Sequence, residues 1–118
     1  MVYRDDIKND IEDALDFVLI DINLSPRSQD SGRCTNRSVD ILGDLPMQFN
    51  LKDVSDIPAT LKIIFAFNED SKPDKDFIEK NIVTKVREYI DSAWRDKISL
   101  HPNITITYAK SPKNPPNP

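Results

Sequence analysis

A chain of 118 residues is about the size of one domain, and with 38% apolar and 31% charged residues it is too apolar for a disordered composition and can build a modest core. Sixteen aspartates against four glutamates leave a net charge of -4 and a pI near 4.9, which disfavours broad attraction to phosphate backbones or anionic lipid. The only cysteine, Cys34, excludes an internal disulfide, a secreted disulfide scaffold and a cysteine-based zinc site.

The opening Met1-Val2-Tyr3-Arg4-Asp5-Asp6 lacks the basic start and apolar stretch of a secretory signal, and no apolar run is long enough to cross a bilayer. We expect a cytoplasmic protein without membrane contact. From Asp5 to about Ile22, Ile7, Ile11, Ala14, Leu15, Val18 and Ile22 recur at steps of three and four, the spacing of one helical face. Asp5, Asp6 and Asp10 suit the positive end of that helix. Phe17, Ile20 and Leu24 fall on nearly the opposite side, so the second half of the helix is apolar on two faces.

Residues 25–38 (SPRSQDSGRCTNRS) show no apolar period and read as a long connection, the one basic stretch of the chain, with Arg27, Arg33 and Arg37 against Asp30. Val39 and Ile41 begin an extended segment that breaks at Gly43. Leu45, Met47, Phe49 and Leu51 then alternate as a half-buried strand, with Pro46 marking an edge or a bulge. After a turn over residues 53–58, Leu61, Ile63, Phe65 and Phe67 take one face of a strand over 59–68, and Ile64 and Ala66 on the other face make that strand central. The short gap predicts that these two strands pair as a hairpin.

A second helix starts at Ser71 or Asp74 and carries Ile78, Ile82, Val86, Tyr89, Ile90 and Ala93 as its stripe, with Arg95 and Lys97 near its negative end. Pro102 stops anything helical, and Ile104, Ile106 and Tyr108 alternate with Thr105 and Thr107 in a last strand. The order helix, strand, strand, helix, strand predicts an α+β domain over residues 1–108, a small antiparallel or mixed sheet packed by two amphipathic helices. A proline-rich tail over 109–118 follows.

No set of residues converges on a catalytic pattern. His101, the only histidine, sits in a turn beside Pro102, which leaves no histidine pair for a metal and no second acid-base imidazole. Cys34, flanked by arginines in a polar loop, is a candidate for a lowered thiol pKa. Gly32 and Gly43 are the only glycines, and neither builds a phosphate-binding loop, so no cofactor is expected. Asp74 and Asp76 open the second helix after a strand, where carboxylate oxygens beside a lysine could hold Mg²⁺. This entry resembles that of phage-type Holliday-junction resolvases, with Asp74, Asp76, Lys80 and Asp96 as matching positions, and the resemblance implies a Mg²⁺-dependent nuclease. The element order also resembles type II KH-like RNA-binding domains, including the ribosome-binding factor A family. That implies RNA contact, here through Arg27, Arg33 and Arg37. Pro112 and Pro115 satisfy a PxxP pattern beside Lys110 and Lys113.

The leading expectation is a non-catalytic protein-interaction module that binds a protein partner or a second copy of itself through Phe17, Ile20 and Leu24, because exposed apolar clusters are disfavoured on monomers.

Overall fold

The computed structural model describes residues 1–25, 33–54, 57–94 and 96–110. Arg27, Arg95 and the PxxP residues Pro112 and Pro115 lie outside these. In chain order the elements are β1 (Val2–Tyr3), α1 (Arg4–Asp21), β2 (Cys34–Gly43), β3 (Gln48–Phe49), the single turn α2 (Leu51–Val54), β4 (Ala59–Asn68), a 3-10 turn (Glu69–Ser71), α3 (Lys75–Ala93) and β5 (Leu100–Ala109). The fold is α+β. Its main sheet has the order β2-β4-β5, and β1 and β3 form a small two-stranded ribbon.

The 3.6-residue period of α1 puts Ile7, Ile11, Leu15, Val18 and Leu19 in the core, and α3 does the same with Ile78, Ile82, Val86 and Ile90. Asp74 caps α3 by accepting from the Phe77 amide at 3.1 Å, satisfying a donor that the first turn leaves orphaned. At the other end of α1, Asn23 takes the left-handed conformation (φ 58°) and the Leu24 amide bonds back to the Leu19 carbonyl at 2.8 Å. This is a helix stop of the glycine type made by asparagine, whose short polar side chain tolerates that region.

Strand β4 is central, as its two-sided pattern predicts: Leu61, Ile63, Phe65 and Phe67 are sealed beneath the helices, with Ile64 and Ala66 half-buried on the opposite face. Its partners differ from the expected hairpin. β4 pairs antiparallel with residues 34–43 and parallel with β5, so the sheet is mixed. The parallel pair requires a crossover, which α3 supplies.

Residues 45–51 do not form the expected strand. Only Gln48 and Phe49 pair, with Val2 and Tyr3, and Leu51 begins a helical turn. Gly43, at φ 127°, ends β2, and Pro46 has no N–H to give a ladder. Leu45 and Phe49 still reach the core from this irregular stretch while Met47 stays outside. Conversely, residues 34–38, read as loop, are strand.

Candidate functional site

The two apolar residues of α1 that the core does not take are Phe17, 68% exposed, and Ile20, 55% exposed. Leu24, expected beside them, is 7% exposed, because the turn at Asn23 folds it back under the helix to join the core. The second apolar face therefore reduces to Phe17 and Ile20. Phe17 lines a groove between α1 and α3 with a volume of about 450 Å³, together with Ala14, Val18 and Tyr89. Asp21, Lys85, Glu88 and Ser92 complete its lining.

Tyr89 is the fixed post of the groove. Its hydroxyl donates to Asp10 Oδ2 at 3.2 Å and accepts from the Trp94 indole N–H at 3.3 Å, which ties α1 to the end of α3. Burial pushes the phenol pKa up, the Trp94 bond pulls against it, and the negative charge of Asp10 adds to the rise. The helix itself is strongly acidic, with seven aspartates and glutamates against Arg4 and Lys8. Part of that charge is already used. Arg37 grips Asp16 with Nε and Nη2, both at 2.9 Å, and reaches Glu12 at 3.9 Å. Such a two-pronged pair is the stronger kind of surface ion pair, contributing up to about 1 kcal/mol when part-exposed.

That pairing changes the standing of the basic segment. Arg37 is a residue of β2 bound to α1, not a loop cation, and Arg33 is exposed just before the strand. Arg27, the third residue of the expected basic set, lies outside the described residues. Asp74 spends its carboxylate on the α3 cap and Asp76 sits exposed in the first turn. Among the described residues no three histidine, cysteine, aspartate or glutamate side chains converge in a way that could hold a metal ion. His101 lies on β5 rather than in a turn, exposed, with Nε2 3.2 Å from the Ser99 hydroxyl. The α3 helix runs unbroken from Lys75 to Ala93. No helix among the described residues is long and apolar enough to cross a membrane.

Cys34 reverses its expectation. It is fully buried at the start of β2, its thiol donates to the Asn36 carbonyl at 3.0 Å, and burial raises its pKa above the ordinary 9.0 against the smaller opposing pulls of backbone bonds and Arg37. The groups raised by folding hold their protons more tightly in the native state, so the stability they contribute is fully present below pH ~9 and is lost as the pH climbs through the raised thiol and tyrosine values. In urea melts from pH 8 to 11 the midpoint should fall. A Cys34→Ala variant should show a shallower decline. Ellman's reagent should meanwhile label native Cys34 far more slowly than the unfolded chain, and equal rates would show that the thiol is not sealed.

Comparison of this chain with protein-family models, with curated proteins and with solved structures returned no match.

Proposed function

We propose that this chain is a cytoplasmic protein-interaction module that binds a partner through the exposed face of α1, with Phe17 and Ile20 as the apolar contacts. The observation that carries this reading is the pair itself: two large apolar side chains more than half exposed, on a helix whose charged positions are mostly acidic, with Phe17 lining a groove beside Ala14, Val18 and Tyr89. A groove between two helices suits an amphipathic helix laid along it with residues at i, i+3 and i+4 as anchors. The acidic surroundings favour a basic segment, since opposite charge speeds encounter and repels wrong partners. Exposed hydrophobics elsewhere, such as Met1, Tyr3 and Met47, gather around the β1–β3 ribbon.

A peptide library displayed on phage and panned on the immobilised protein tests this. Selected peptides should combine lysine or arginine with apolar residues at helical spacing, and should lose binding to Phe17→Asp and Ile20→Asp. Binders indifferent to both substitutions would overturn the reading. Light scattering on the same variants adds a second arm: a wild-type dimer that dissociates on Phe17→Asp would make the occupant a second copy of the chain.

A further inference from the structure

The outer edge of β5 is the least protected surface of the sheet. Leu100–Ala109 is ten residues long, carries no aspartate, glutamate, lysine or arginine, and pairs only with β4 among the described residues. The opposite edge, β2, is blunted in the usual way, with a bulge between Cys34 and Asn36 and with Arg37 and Asp40 in the strand. The direction of the β5 backbone groups follows from one bond. The Ala59 amide donates to the Ser99 carbonyl at 2.9 Å, so in the regular alternation of a parallel ladder the odd-numbered residues of β5 face β4 and the even-numbered ones face outward. Pro102 then stands at an outward position, where its missing N–H costs the sheet nothing. The amides of Ile104, Ile106 and Tyr108 point outward, with no strand paired to them among the described residues, beside half-buried side chains.

We propose that a second copy of this chain docks on this edge, β5 against β5 antiparallel about a two-fold axis at Thr105, to make one continuous six-stranded sheet. In that register Ile104 meets the copy's Ile106 and Tyr108 meets its Pro102 on the helix side, and Thr105 meets itself on the open face. Every outward amide finds a carbonyl: Ile104 that of Ile106, Ile106 that of Ile104, and Tyr108 that of Pro102. The strand is self-complementary in side chain as well, apolar against apolar and threonine against threonine, both favourable cross-strand pairs.

Charge on α3 selects the same axis. Lys75 lies 4.7 Å over the Tyr108 ring and Glu79 adds negative charge around that phenol, so both stand at the C-terminal end of β5. Arg87 and Asp91 line a hollow with Leu100, His101 and Pro102 at its N-terminal end. A two-fold axis that exchanges Pro102 and Tyr108 therefore sets Glu79 toward the copy's Arg87, while Lys75 is held by Glu69 of its own chain at 3.1 Å. A negative residue toward one end of β5 and a positive one toward the other is what an antiparallel copy of the chain complements. The Tyr108 hydroxyl, buried without a hydrogen-bond partner among the described residues, stands beside this pairing.

Sedimentation equilibrium on the full chain decides it. The wild type should be a dimer, and Thr105→Lys, which sets two lysines against each other at an exposed position, should raise the dissociation constant at least ~10-fold while the dissociated variant keeps the circular dichroism spectrum of the folded chain. Glu79→Arg and Arg87→Glu should each weaken the dimer, and the double exchange Glu79→Arg/Arg87→Glu should restore it. A wild type that is monomeric over its whole soluble range would overturn the proposal, as would a dimer indifferent to Thr105→Lys or a double exchange no better than the single ones. A dimer that instead falls apart on Phe17→Asp would place the contact on α1. Because the two surfaces lie on different elements, either reading can fail while the other stands.

Discussion

Leu24→Asp should abolish cooperative folding, whereas Phe17→Asp should leave a protein that melts within a few degrees of the wild type. Phe17 and Leu24 belonged to one face in the sequence pattern, and the turn at Asn23 separates them. Leu24 is buried, its amide is committed to the Leu19 carbonyl, and among the described residues no charged side chain is buried in the core to receive a carboxylate. An aspartate there is either desolvated without a partner or must tear the turn open, a cost of several kcal/mol against a total stability of about 5–15 kcal/mol. Phe17 is 68% exposed, so the same carboxylate stays hydrated. Its expected cost is below ~1 kcal/mol, from lost contact with the groove wall and from a negative charge toward the wrong end of the helix dipole. Thermal melts by circular dichroism at pH 7 compare them directly. If Phe17→Asp unfolds as Leu24→Asp does, Phe17 is part of the core and the groove has no function as a docking face.

The helices were legible because each carries its core contacts in a single unbroken period. Ile7 to Ile22 and Ile78 to Ile90 repeat at three and four, and the Asp74 cap stood where a strand pattern gave way to a helical one. β4 was legible for the same reason, at period two. β2 was not, because the residue that faces the helices between Cys34 and Val39 is Arg37, which belongs there only once Asp16 and Glu12 are known to wait on α1. The bulge between Cys34 and Asn36 adds a residue and breaks the alternation a second time. The opposite error fell on residues 45–51, whose apolar alternation is genuine but serves separate plugs. Leu45 and Phe49 enter the core from a stretch that Pro46 keeps out of a ladder, and two residues of it pair with the chain's own start. The site was half legible: the helical wheel found surplus apolar surface on α1, but the groove depends on where α3 lies, and no spacing within α1 reports that.

Phe65→Ala should cost about 3–5 kcal/mol, the range for emptying a phenylalanine site in a packed core. Three features put this position at the upper end. Phe65 is at 0% exposure and among the largest fully buried side chains, it sits on the middle strand between Arg37 of β2 and Ile106 of β5, and both helices roof the face it occupies. A central strand fixed by ladders on two sides cannot slide inward to close the void, so the cavity term adds in full to the lost transfer energy. Urea denaturation should show the midpoint lowered with the slope unchanged, since the surface exposed on unfolding is nearly the same. Ile64, one residue away, faces the other side of the sheet and is only half-buried. Ile64→Ala should therefore lose much less, because the methyls removed leave an open depression that water fills. Equal losses at the two positions would mean that the second face of the sheet is covered as tightly as the first, and that more of the molecule is core than a single layer of helices accounts for.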